Sequence, residues 1–168
     1  MDMDDFIEST FSSFETNINI WKKESELFIN ILKDFENNMN KKDILKPLLN
    51  NIIYDINFVE NNKNKIKESI FQEDILELAE NITSSAMLLE CSSEECYLLE
   101  DGSKVFFPIT KDDFFDSLYV ESMIINFNKS NDSLIELNLT NSPDYFNGSY
   151  FMVNIDKDKN IKFKGMYE

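Results

Sequence analysis

The chain has 168 residues, with 32 acidic side chains against 16 basic ones, all lysine, giving a formal net charge of −16. That length is enough for one domain with a sizeable core, and such a surface repels nucleic acid and anionic membranes. Histidine and arginine are both absent, which excludes Ser-His-Asp and Cys-His catalysis, His-containing metal sites and arginine clamps on phosphate.

Fifteen Phe and six Tyr supply large apolar side chains that argue against disorder. No linker-like stretch or shift in composition divides the chain, so residues 1–168 read as a single domain. The acidic start, MDMDDFIEST, lacks the basic and apolar regions of a signal peptide. No window reaches the roughly 18 apolar residues that span a bilayer. The expectation is a soluble cytoplasmic protein. Cys91 and Cys96 are spaced unlike a zinc knuckle and read as reduced thiols. Gly102, Gly148 and Gly165 lie too far apart to form a phosphate loop. No metal or cofactor is expected.

In chain order, residues 1–13 read as a short helix or arm, with Phe6, Ile7 and Phe11 as docking residues. Residues 15–21 and 25–32 alternate apolar and polar side chains and predict a hairpin turning at 22–24. A helical stripe through Leu27, Ile31 and Leu32 competes with the second strand. From Lys42 the period changes. Ile44, Leu45, Leu48, Leu49, Ile52, Ile53 and Ile56 predict one amphipathic helix with Pro47 in its first turn. Beyond 60–64, Ile66, Ile70 and Phe71 mark a second helix, and Ile75 to Ile82 a third that continues it or follows it. Asp101-Gly102 between two apolar runs signals a hairpin with a type I′ turn. Thr110-Lys-Asp-Asp113 reads as a capping box opening a short helix, with Phe114, Phe115 and Leu118 facing inward.

The last third alternates with period two in four runs, at 119–127, 133–140, 149–155 and 160–166. Their connectors are short and polar, which makes a four-stranded meander. The expected fold is therefore α+β: an antiparallel sheet, from this meander plus the N-terminal hairpin, with two or three helices packed on one face.

Several of these segments occur in a familiar order. Glu77-Leu-Ala-Glu-Asn81 closes a helix; Ile109-Thr-Lys-Asp-Asp-Phe114 opens another; Leu118-Tyr-Val-Glu-Ser-Met-Ile124 follows; Phe146-Asn-Gly148 leads into an apolar strand; and a turn leads to Ile161 and Gly165. Over residues 75–165 this order resembles an uncharacterised bacterial domain-of-unknown-function family. Its members show a Leu-Ala-Asn-like helix end, an Ile-Thr-x-x-x-Phe helix start and a Phe-x-Gly-His strand entry. The resemblance implies a fold, and through neighbouring genes a link to toxin–immunity loci. Where the family pattern has His, this chain has Ser149, so any chemistry of that His is missing here.

Two constellations invite a catalytic or metal reading. Asp156-Lys-Asp158-Lys-Asn160 begins like an EF-hand loop, but Ile161 stands where the loop needs Gly. It reads as a polar turn. Asp112, Asp113 and Asp116, with Glu121 nearby, resemble a carboxylate cluster, yet acids at a helix start are favourable without any ligand.

Charge distribution is the remaining lead. Residues 68–103 contain ten acids and no lysine, where ordinary surfaces mix signs. The expectation is a non-enzymatic, immunity-type protein that binds and neutralises a basic bacterial toxin domain, in the leading form a nuclease, by electrostatic occlusion of its active site. The expected contacts are Glu90, Glu94, Glu95, Glu100, Asp101, Asp112, Asp113 and Asp116, with Tyr97 as aromatic anchor. A cytoplasmic scaffold or regulatory domain is the alternative, and a carboxylate-based hydrolase or metal binder the second.

Overall fold

The computed structural model describes residues 6–10, 13–32, 41–72, 74–89 and 95–168. Strand β1 (Ile7–Thr10) pairs antiparallel with β2 (Ser13–Ile20), so the expected N-terminal helix or arm is a strand where it is described. Of its expected docking residues, Phe6 is buried and Ile7 exposed, while Phe11 lies outside the described residues.

β2 and β3 (Lys23–Ile31) form the anticipated hairpin, and the helical alternative for this stretch is not adopted. Ile20 pairs with Lys23, so the turn is Trp21–Lys22 rather than 22–24. Both turn residues have positive φ, at 53° and 67°, as a type I′ turn requires. Neither is glycine. Trp21 is held there by tertiary bonds: its amide donates to Glu60 at 2.8 Å and its indole N–H to the Val59 carbonyl at 3.2 Å.

The expected single long helix is two. α1 (Lys41–Leu45) stops before Pro47, and α2 (Leu49–Asn61) restarts after it. The proline ring and its missing N–H interrupt the ladder. α3 (Lys63–Ile70) and α4 (Ile75–Thr83) are separate, because Phe71 leaves α3 in an extended conformation. A second, small sheet follows: β4 (Met87–Leu89), β5 (Cys96–Leu98) and β6 (Lys104–Phe106), all antiparallel. The hairpin at Asp101–Gly102 exists with a different turn. Only Gly102 has positive φ, at 82°, and the Gly102 amide bonds the Leu99 carbonyl, giving a three-residue loop with glycine in its left-handed position. Cys96 is buried; Cys91 lies outside the described residues.

α5 (Lys111–Ser117) runs straight into β7 (Leu118–Phe127), and β8 (Ser133–Asn141), β9 (Tyr150–Ile155) and β10 (Ile161–Tyr167) complete the meander as expected. Asp156 builds the last turn by accepting from the Asp158 and Asn160 amides, both at 2.9 Å.

The large sheet is mixed rather than antiparallel. Its order is β1-β2-β3-β7-β8-β9-β10, and β3 pairs with β7 in parallel, from Glu26↔Ser122 to Ile31↔Phe127. The chain between them carries the helices and the small sheet, so it has room to return and enter β7 in the direction of β3.

Alternation puts Phe14, Ile20, Leu27, Ile29, Met123, Ile125, Ile135, Leu137, Leu139, Phe151 and Val153 into one core under the helices. Phe114 of α5 sits among Phe71, Phe146 and Phe151, with ring centroids 5.9–6.3 Å apart. The opposite face carries polar ladders, in which Ser13 donates to Asn30, Asn30 to Asn126, and Asn138 to Ser122. Among the described residues no helix is long and apolar enough to cross a membrane.

One charge pair ties the far edge of the sheet to the helices. Lys159, in the β9–β10 turn at φ 64°, donates to Asp55 of α2, which is 1% exposed. Removing one member of such a pair strands the other. Asp55→Ala is expected to lower the free energy of urea unfolding by about 3 kcal/mol, while Asp55→Leu combined with Lys159→Met recovers most of that loss.

Candidate functional site

The expected acidic residues converge only in part. α5 begins at Thr110, whose hydroxyl accepts from the Asp113 amide at 3.1 Å while the Asp113 carboxylate accepts from the Thr110 amide at 3.0 Å. This is the anticipated capping box. It commits Asp113 to the helix start, and the Thr110 bonds hold its carboxyl below the usual carboxylate range. Asp112 and Asp116 are exposed on the same helix.

Across from α5 stands the small sheet. Together with residues 142–145 they enclose a cleft of about 570 Å³. α5 contributes Asp113, Asp116 and Ser117. The small sheet and its exit contribute Lys104, Val105, Phe106, Phe107 and Pro108, and the β8–β9 loop contributes Ser142, Pro143 and Tyr145. The Phe107–Pro108 and Ser142–Pro143 bonds, both at this cleft, are cis. Tyr145 is buried, and burial, followed by the Asp113 charge, pushes its hydroxyl up to about 12. It therefore presents a neutral phenol at any ordinary pH.

The other expected contacts divide. Glu100 is exposed at the tip of the β5–β6 turn. Asp101 is occupied within that turn: its carboxylate accepts from the Ser103 hydroxyl and from the Ser103 amide at 2.8 Å, and these bonds lower its pKa. Glu95 is exposed and accepts the Tyr97 hydroxyl at 2.7 Å, which raises the tyrosine's pKa. Tyr97 itself is 7% exposed, with its ring 4.6 Å from that of Phe107. It is a core residue of the small sheet and cannot serve as an exposed anchor. Glu90 and Glu94 lie outside the described residues.

Two carboxylates of the lysine-free stretch have structural partners. Glu68 pairs with Lys111 at 2.9 Å, and Glu80 accepts from the Ile109 amide at 2.7 Å. Both carboxylates thereby fasten the entry of α5 to α3 and α4. The imagined cluster of Asp112, Asp113, Asp116 and Glu121 is not assembled. Glu121 instead lines a shallow groove of about 370 Å³ on the uncovered sheet face, with Glu24, Glu26 and Tyr119. Among the described residues no three carboxylates or thiols are placed to hold a metal ion.

Three residues of the cleft escaped the sequence reading. Phe106 is 48% exposed; alternation along β6 points it to the face opposite buried Val105, and that alternation was the available signal. Lys104, on the same strand, places a cation on the cleft wall. Tyr145 lay inside a segment that composition marked only as a turn.

No family model matches the chain, and no curated protein or solved structure is significantly similar to it.

Thr110→Ala removes the cap and is expected to cost about 1 kcal/mol in urea unfolding. Asp101, Asp113 and Asp156 have folded-state pKa values below the unfolded ones. Their contribution is thus complete above the unfolded carboxylate range, near pH 4, and is lost as pH falls through the lower folded values. The Asp113→Asn variant is expected to show a shallower loss of stability between pH 4 and pH 2 than the parent, measured by chemical unfolding at each pH.

Proposed function

We propose that this chain is a non-catalytic acidic binding protein. In this reading it occupies a lysine- and arginine-rich surface of a protein partner, a bacterial toxin domain of the nuclease kind, and occludes its active site. The observation that carries the reading is the pairing of charge and apolar surface at one place. Asp116 and Asp113 line the cleft with Lys104, Phe106 stands half-exposed on its wall, and Asp112 and Glu100 are exposed on α5 and the β5–β6 turn. A buried aromatic anchor surrounded by complementary charge is how tight interfaces concentrate their energy.

The mechanism follows from two ranges of force. A net charge of −16 attracts a cationic partner over about a Debye length, near 8 Å at physiological salt, and raises the encounter rate. At contact, Phe106 takes the anchoring role expected of Tyr97, and Asp116 and Asp112 meet the partner's ammonium or guanidinium groups. A carboxylate surface imitates the phosphate backbone that a nuclease binds.

The test is direct. The expected genomic neighbour is a toxin with a Lys-rich C-terminal domain, and binding of that domain is measured by calorimetry and by survival of cells expressing it. Binding is expected in the nanomolar range, weakening at least tenfold between 50 and 300 mM NaCl. Phe106→Ala and Asp116→Lys are each expected to weaken it tenfold or more, with Tyr97→Phe nearly silent. No binding and no protection would sink the proposal.

A further inference from the structure

The cleft beside α5 holds charges of both signs that no described residue neutralises. Lys104 and Phe106 alternate with buried Val105 along β6, so the cation and the half-exposed ring share one face of that strand. Asp116 lines the α5 wall. Among the described residues, Lys104 and Asp116 form no ion pair with each other or with any other group. Asp113 is only half used. Its Oδ2 accepts both Thr110 bonds, and its Oδ1 accepts none among the described residues.

Tyr145 is an independent sign of a ligand. It is 4% exposed, yet among the described residues its hydroxyl has no hydrogen-bond partner. A buried phenol ordinarily finds one. Its oxygen is not sealed from solvent, and the cleft is the opening it lines. The Asp113 charge acts on that hydroxyl, which puts it towards the α5 side.

We propose that this cleft is a binding site for an arginine-class zwitterion, a ligand whose guanidinium lies against α5 while its carboxylate reaches Lys104. The charges select it. A simple cation would satisfy Asp116 and be repelled by Lys104, and a simple anion would meet the reverse. A ligand carrying both gives each wall its complement. A guanidinium suits the α5 side because its five donors form a planar fork. Asp116, Oδ1 of Asp113 and the Tyr145 hydroxyl can all accept from it. The methylene stem between the two charged ends lies on Phe106. A volume of about 570 Å³ is within the range of small-molecule sites. Free arginine and a chain ending in arginine present this same chemistry. The site goes beyond the toxin reading and does not depend on it.

The experiment uses the full chain and small probes, followed by nitrogen-15 chemical shifts and calorimetry. N-acetyl-arginine is expected to bind with a Kd on the order of 0.1 mM. Its methylamide lacks the carboxylate and N-acetyl-norleucine lacks the cation; each is expected to bind about tenfold more weakly. Lys104→Met is expected to abolish the preference over the methylamide, and Asp116→Asn the preference over N-acetyl-norleucine. Both side chains are exposed, so both variants are expected to fold. Tyr145→Phe is expected to weaken N-acetyl-arginine about fivefold. Its urea midpoint is expected to stay unchanged, because the hydroxyl has no partner to lose. Tighter binding of N-acetyl-arginine than of free arginine marks a chain end as the source, and the opposite order marks the free amino acid. The proposal is overturned if N-acetyl-arginine fails to saturate the cleft shifts by about 10 mM, or if the three probes bind alike. Preferences that survive in Lys104→Met and Asp116→Asn overturn it as well. No toxin domain enters the measurement, so its failure and that of the toxin reading are separate results.

Discussion

The parallel pairing of β3 with β7 is the constraint on which the rest of this structure depends. It joins an N-terminal hairpin and a C-terminal meander, each antiparallel within itself, into one sheet. Two parallel neighbours cannot be linked by a tight turn. The chain between them must cross the sheet, and in crossing it lays the helices over the apolar face. It also places α5 immediately before β7, so the acid-bearing helix is continuous with the central strand of the sheet. Ser117 marks the joint: its hydroxyl donates to the Phe114 carbonyl and accepts from Asn141 of β8 at 2.6 Å.

Much of the acidity is structural. Glu60 holds the β2–β3 turn, Glu68 and Glu80 fasten the entry of α5, Asp101 and Asp156 build turns, Asp113 caps a helix, and Asp55 meets Lys159 beneath the last turn. Carboxylates bonded in this way keep part of their charge directed inward, towards amides and ammonium groups. The surplus is carried by exposed carboxylates such as Asp112, Asp116 and Glu100, of which Asp116 lines the cleft. A linear count of charges cannot separate the two groups, since each has the same composition.

Legibility followed the range of the interactions. The meander strands were readable because alternation is a local property, and so was the capping box at Thr110 and Asp113. The Trp21–Lys22 turn was misplaced by one residue because neither residue announces positive φ; bonds to Glu60 and Val59, far along the chain, hold it. Pro47 was recognised as a helix start but acted as a break. Strand β4, at three residues with Met87 and Leu88 both exposed, has no period to detect. Tyr97 looked like an anchor because a tyrosine among acids reads as surface, whereas its ring packs on Phe107.

Alternation, capping and composition thus made legible the hairpin around Asp101–Gly102, the start of α5, the meander strands with their apolar faces, and the net charge of −16. These signals act over a few residues or over none. Tertiary structure alone decided the direction of β7 beside β3, since a buried strand alternates identically in parallel and antiparallel pairs. It also decided which carboxylates remain outward, that Phe106 rather than Tyr97 faces solvent, and that Lys67 lies buried under α5. Each of these depends on what packs against a side chain from a distant part of the chain, and spacing along the sequence carries no record of that.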